Sequence, residues 1–304
     1  MKNASKLMSV RYTNMGINTI SDVEIFQAKT IVKNENKKIY HLRLDYNEIS
    51  SAWDTLSHFL TITLPTINNR FILIITGEDL TIPNQIDPRW QEPYQLNIIK
   101  EVYNSIINHH LLIHCYIENR DEIHEKSSSI PIGINPREMP LQNVDYILKY
   151  MQNIPLIESR ELKVICIHRD RQGDREKINK IKNKEWNHFT ITDLVCHHDS
   201  WYKLLQTYPF IICAHGGGID PSPKVWEALC LGCIPIIKHS PLDDIYNMFP
   251  VVFVNDWTSD SITLEKLIFW KSKYSHFFDN NEMRNTWVHK LYLKYWEDTI
   301  KNTV

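Results

Sequence analysis

Three contiguous glycines, Gly216, Gly217 and Gly218, stand just ahead of a short segment that carries Lys224 and Glu227, in the run PFIICAHGGGIDPSPKVWEALCLGCIPII at residues 209–237. The chain has only 8 glycines in 304 residues, well below the usual share of roughly 7%. A glycine-poor chain that spends three together needs bare backbone there. Bare backbone between a strand and a helix start is a common place to hold phosphate groups.

The elements that must position these groups are legible around them. Residues 210–214 read as a short apolar strand and 233–237 as another. Ser222 is a favoured N-cap and Pro223 suits the first helical position. Gly232 stands where a C-terminal glycine cap belongs. These signals delimit a helix over 222–231. Val225, Ala228 and Leu229 face a sheet, while Lys224 and Glu227, three apart, share another face. Two readings of that pair stay open. One is a solvent-exposed ion pair worth a few tenths of a kcal/mol. The other places both in a cleft above the glycines, with Lys224 neutralising a phosphate and Glu227 accepting hydrogen bonds from ribose hydroxyls.

The rest of the chain alternates strand-like and helix-like segments. Strands are expected at 38–46, 70–76 and 111–117, and helices at 96–108 and 141–151. In the first helix Ile99, Val102, Tyr103 and Ile106 lie on one face. A second alternation runs through strands at 162–168, 189–191, 210–214, 233–237 and 251–254, with helices at 174–184, 200–207, 222–231 and 242–248. This pattern predicts an α/β protein with two Rossmann-like domains of parallel sheet. The expected partition is 1–157, 158–282, and a long amphipathic helix over 283–304 packing across the junction. Ligands of such sheets sit at the carboxyl ends of the strands.

Bulk composition narrows the class. An apolar share of 43% and a charged share of 23% are ordinary for a globular protein. The formal net charge of −2 argues against a nucleic-acid-binding surface. No run approaches the roughly 18 apolar residues of a membrane span, and the first residues lack the apolar core of a signal peptide. A soluble, cytoplasmic protein is expected. The six cysteines lie mostly in apolar runs, where a buried free thiol is the common case. Cys230 and Cys233 form a C-x-x-C without a second ligand pair at matching spacing.

The run GGGIDPSPKVWEALCLGCIPII resembles the C-terminal signature of exostosin-like glycosyltransferases: a glycine-containing loop, an acidic residue, a basic residue, then W-E-A-L and G-x-I-P. It is also similar to the nucleotide-sugar-binding element of the broader GT-B glycosyltransferases. The close match covers 209–254. The resemblance implies a two-lobed GT-B enzyme that takes a nucleoside-diphosphate sugar, UDP- or GDP-linked, and a carbohydrate acceptor, with no further cofactor. It implies that Glu227 holds the donor ribose, that Gly216, Gly217 and Gly218 lie near the diphosphate, and that Asp220 is the acidic residue of the motif. Lys224 stands where the family usually has arginine, which keeps charge but loses a bidentate grip. Arg169, Arg171 and Arg175 follow the strand at 162–168, where such enzymes often place cations for donor phosphates. Thr192 and Asp193 would lie near the base. A transfer of this kind needs a group to deprotonate the acceptor hydroxyl. Asp79 or Glu78, at the end of the strand 70–76, could serve, unless they simply cap a turn. His215 is a further candidate for contacting sugar or phosphate, and His41 and Asp45 are weaker ones.

Other classes fit less well. His215-Gly216-Gly217-Gly218 also occurs as an esterase oxyanion-hole string, but no G-x-S-x-G follows. The phosphate-loop and dinucleotide glycine patterns are absent. No Asp-x-Asp occurs, which favours a chemistry where basic groups and helix dipoles, rather than a bound metal, offset the leaving diphosphate. A catalytically inactive module that binds nucleotide or glycan is the alternative.

Overall fold

The computed structural model describes residues 7–8, 16–44, 49–77, 79–86, 93–134, 145–193, 197–216 and 218–303. The first half contains β1 (Val23–Phe26), β2 (Lys29–Val32), β3 (Ile39–Arg43), α1 (Ile49–His58), β4 (Phe71–Thr76), α2 (Pro93–Ile107), β5 (Leu112–Ile117), β6 (Ser127–Ser129) and α3 (Asp145–Tyr150). Its sheet runs β2-β1-β3-β4-β5-β6. Every pairing in it is parallel except the β1–β2 hairpin.

The second half contains β7 (Val164–Ile165), α4 (Asp174–Lys182), β8 (Thr190–Ile191), α5 (His198–Thr207), β9 (Phe210–Ile212), α6 (Lys224–Cys230), β10 (Ile234–Lys238), α7 (Asp243–Tyr246) and β11 (Val252–Val254). They build a parallel sheet in the order β11-β10-β9-β7-β8. The α/β class with parallel sheets is therefore what the alternation of segments dictates.

The apolar strands explain the layering. All six residues of β4 are buried, as parallel strands covered on both faces require. Side chains alternate across the sheet. Phe71, Leu73 and Ile75 pack with Ile99, Val102, Tyr103 and Ile106 of α2. Ile72 and Ile74 join the other core, which continues into the second sheet.

Several elements were not anticipated: the β1–β2 hairpin, α1 and β6 in the first half, and α8 (Leu264–Asp279), capped by the Thr263 hydroxyl, which accepts from the Lys266 amide at 3.3 Å. The long helix expected over 283–302 is instead two, α9 (Asn281–Val288) and α10 (Leu293–Lys301), joined through a 3₁₀ turn at His289–Leu291. The break has a tertiary cause. The Leu291 carbonyl accepts from the Met8 amide at 2.8 Å and from Trp226 Nε1 at 3.2 Å, and Tyr292 is extended. These partners replace helical continuation. The Thr303 hydroxyl, just past α10, lies 2.8 Å from the Tyr116 hydroxyl on β5, so the C-terminal segment touches α6 behind one sheet and a strand of the other. Among the described residues, no helix is long and apolar enough to cross a membrane.

Candidate functional site

The strands end where chemistry concentrates. The loop from β9 to α6 runs through His215 and Gly216, and α6 starts at Lys224. Pro223 has helical dihedrals, and the Ser222 hydroxyl accepts from the Lys224 amide at 3.3 Å. The helix thus begins later than expected: Pro223, not Ser222, immediately precedes it, and Ser222 takes a left-handed φ of 78° rather than the extended backbone of an N-cap. The Asp220 carboxylate is buried and braces the loop: it accepts from the Ser222 amide at 2.6 Å and from the Tyr246 hydroxyl at 3.1 Å. Gly216 donates its amide to the Asp220 carbonyl at 3.4 Å. At the far end of α6, Gly232 has φ +72°, the left-handed conformation of a glycine cap. Gly217 lies outside the described residues, as do Glu78 and Asp45.

Lys224 and Glu227 do not form an exposed surface pair. Glu227 is 8% exposed and accepts from Trp201 Nε1 on α5 at 2.8 Å. The Lys224 ammonium donates to the Ile167 carbonyl beyond β7 and lies 5.7 Å from the centre of the Trp201 ring. Burial lowers its pKa. Glu227 is therefore buried and Lys224 half-buried, with the Trp201 indole beside both.

A second layer of charge comes from the segment after β7. Arg175, in the first turn of α4, is 9% exposed and donates from Nε to the His215 carbonyl at 3.1 Å. Asp174, beside it, joins Lys238 on β10 at 2.7 Å and lies 3.2 Å from His215 Nδ1. Burial pulls the His215 pKa down to about 4, and the nearby Lys238 and Arg175 charges add to this against the opposing Asp174 carboxylate. His215 is accordingly a neutral imidazole at pH 7. His168 is pulled down to about 4 in the same way, chiefly by burial and then by Lys224. Arg169 is exposed, and Thr192 and Asp193 are exposed beyond β8, an edge strand of the second sheet.

The first sheet contributes a facing set. Arg171 donates from Nη1 to Asp79 Oδ2 at 3.4 Å, so Asp79, just past β4, meets the cation that follows β7. A Cβ built on Gly216 would stand 3.5 Å from Arg175 Nη2 and 3.8 Å from Asp79 Oδ1. Asp79, Gly216, Arg171 and Arg175 thus converge, although they come from two sheets and Asp79 and Gly216 lie 137 positions apart (216 − 79).

Reading the sequence alone missed Glu118, Asn119 and Arg120, the residues directly after β5. All three are buried. Glu118 accepts from the Gly77 amide at 2.9 Å. Asn119 Oδ1 accepts from the Asp220 amide at 3.1 Å. Arg120 pairs with Asp244 on α7 at 2.7 Å. The available signal was three polar residues following an apolar strand without a break, at the carboxyl end where such sheets carry ligands. His41 is fully buried on β3, with Nε2 2.9 Å from the Thr76 hydroxyl. Cys230 and Cys233 are buried free thiols, and burial pushes Cys233 up to about 12.

No family model matches this chain, and no curated protein matches it. Among solved structures it aligns with the sucrose-phosphate synthase of Thermosynechococcus elongatus at a TM-score of 0.46 and 10% sequence identity, over 88% of this chain and 73% of that one. At that degree of likeness the residues themselves carry any functional reading.

Proposed function

We propose that this chain is a glycosyltransferase of exostosin-like type that moves a sugar from a nucleoside-diphosphate sugar to a carbohydrate hydroxyl. The observation that supports it best is the meeting of Asp79 with Gly216, Arg171 and Arg175 at the carboxyl ends of two parallel sheets. A transfer between two bound substrates needs this combination: cations and bare backbone for the departing diphosphate on one lobe, and a carboxylate for the incoming hydroxyl on the other.

In this reading the donor lies on the lobe of β7–β11. Arg169, Arg171, Arg175 and Lys224 offset the charge that grows on the diphosphate as the glycosidic bond breaks, an interaction that strengthens in the transition state and so raises the rate. Gly216, Gly217 and Gly218 let the backbone approach the phosphates, with Asp220 bracing the loop. Glu227 accepts from the ribose hydroxyls, while Trp201 holds its carboxylate in place. His215, neutral at pH 7, contacts sugar or phosphate, and Thr192 and Asp193 stand near the base. Asp79, with Glu78 beside it, takes the proton of the acceptor hydroxyl as that oxygen attacks the anomeric carbon. Arg171 links the two halves of the reaction. A diphosphate competes with Asp79 for the guanidinium, so donor binding releases the carboxylate for its role as base.

The test is a thermal-shift screen against UDP-, GDP-, ADP- and CMP-linked sugars, followed by transfer assays with a panel of oligosaccharide acceptors. Stabilisation by one donor class and transfer to an acceptor are expected. No response to any nucleotide would end this reading, and tight binding without transfer would make the chain a binding module.

A further inference from the structure

Asn119, just past β5 on the first sheet, reaches from the Asp79 side of the proposed site to the glycine loop. The residue is 1% exposed. Its backbone carbonyl accepts from the Ile82 amide at 2.9 Å, which fixes it to the segment that carries Asp79. Its Oδ1 accepts from the Asp220 amide at 3.1 Å, which fixes it to the glycine loop. The loop is shaped to receive it. A Cβ built on Gly218 would stand 2.7 Å from Asn119 Oδ1, 3.0 Å from its Cγ and 3.1 Å from the Asp79 carbonyl. Real Cβ atoms do not approach that closely, so Gly218 is glycine because Asn119 and the Asp79 backbone occupy the space.

We infer that Asn119 is a positioning residue that sets the distance between Asp79 and the glycine loop, and that Gly218 is its steric counterpart. The inference rests on the glycosyl-transfer reading for its kinetic consequence and on the two hydrogen bonds for its geometric one. The loop keeps its own shape without Asn119, since the Ser222 amide, the Tyr246 hydroxyl and the Gly216 amide all bind to Asp220 within the second sheet. The two sheets also stay joined, because Arg120 pairs with Asp244 next door and the Ser129 amide donates to the same carboxylate at 3.3 Å. Removing the Asn119 side chain therefore loosens the register of donor against base while leaving donor binding largely intact. Misplacing reacting groups by about 1 Å costs on the order of 100-fold in rate.

The experiment compares wild type, Asn119→Ala, Asn119→Asp, Gly218→Ala and the double variant Asn119→Ala/Gly218→Ala. The donor is whichever of UDP-, GDP-, ADP- or CMP-linked sugar the wild type uses. Asn119→Ala should lower kcat about 10-fold or more with the donor KM changed less than about threefold. Asn119→Asp, which keeps an oxygen facing the Asp220 amide, should recover most of that loss. Gly218→Ala should lower the melting temperature, and the double variant should regain part of it, because the Asn119 side chain is gone while the Asp79 carbonyl still stands 3.1 Å away, and kcat stays low. Hydrogen exchange at the Asp220 amide, followed in the full chain without any ligand, should accelerate in Asn119→Ala and not in Asn119→Asp. An Asn119→Ala variant with kcat within twofold of wild type would overturn the inference, as would equal losses in the Ala and Asp variants. If the wild type transfers nothing, the glycosyl-transfer reading fails by itself, and unchanged exchange at Asp220 in Asn119→Ala then removes the positioning role separately.

Discussion

Acid should unfold this protein through His41, and the size of the effect follows from its surroundings. His41 is fully buried on β3, 2.9 Å from the Thr76 hydroxyl and 3.5 Å from Asn18 Oδ1. Burial, with the Arg43 and Lys33 charges adding to it and Glu24 opposing, lowers its pKa from 6.5 to about 3. The unfolded chain protonates this ring near pH 6.5 and the folded chain only near 3, so between those values the unfolded state binds more protons. The neutral ring's contribution is complete above 6.5 and is lost as pH falls towards 3. The slope approaches 1.36 kcal/mol per pH unit, which gives about 2 kcal/mol lost at pH 5 and roughly 5 kcal/mol below pH 3. His168 and His215, both pulled down to about 4, steepen the same decline. The measurement is urea unfolding of wild type and His41→Gln at pH 7.5, 6.5, 5.5 and 5.0. The variant will be less stable at neutral pH, because Thr76 loses its partner, so the informative quantity is the slope. The other histidines contribute to both proteins and cancel, so wild type should lose close to one proton's worth of stability more than the variant between pH 6 and 5. Parallel lines would refute the reasoning and mean that His41 titrates alike in both states.

Three further outcomes can be checked directly. Glu227→Ala should weaken nucleotide-diphosphate binding by about 1–3 kcal/mol, the scale of hydrogen bonds to a charged group; calorimetry giving unchanged affinity would remove the ribose role. Asp79→Asn should abolish transfer while sparing donor binding, and near-normal turnover would take Asp79 out of the mechanism. Gly232→Ala should destabilise the fold by about 2–4 kcal/mol, combining left-handed strain with overpacking, since φ is +72° and a Cβ would stand 2.5 Å from Ile154 Cγ2; an unaltered denaturation midpoint would contradict this.

What the sequence disclosed and what it hid follow from the range of the forces involved. Local signals were legible. The Gly232 cap and the apolar face of α2 are set by residues a turn or two apart, and each stands where its residue type belongs. The β1–β2 hairpin was hidden because its turn residues, Gln27 and Ala28, take φ of 49° and 52°. That conformation is normally signalled by Asn-Gly or Asp-Gly. The helix α8 was hidden because Leu264, Ile268 and Phe269 are exposed, so its apolar residues do not form one stripe. The break between α9 and α10 depends on Met8 and Trp226 reaching Leu291, contacts that no window along the chain contains. The same holds for the site. Gly216, Lys224 and Glu227 could be named from spacing, but the register between Asp79 and the glycine loop depends on Asn119, a hundred residues from its partner.

The glycines of the loop show why a motif and its reason must be separated. Bare backbone was expected there for the approach of phosphate. Gly218 has a sufficient cause without any ligand: Asn119 and the Asp79 carbonyl stand where its side chain would go. Gly216 differs, because a Cβ there would meet only ordinary van der Waals neighbours at 3.5 and 3.8 Å, namely Arg175 and Asp79. No packing constraint forbids alanine at that position. Those neighbours are a cation and a carboxylate, not core atoms. A glycine with no steric need, standing between the charges proposed to act on donor and acceptor, is the one whose bareness a ligand would explain. The packing of the two sheets against each other accounts for Gly218, and the chemistry of the cleft is left to account for Gly216.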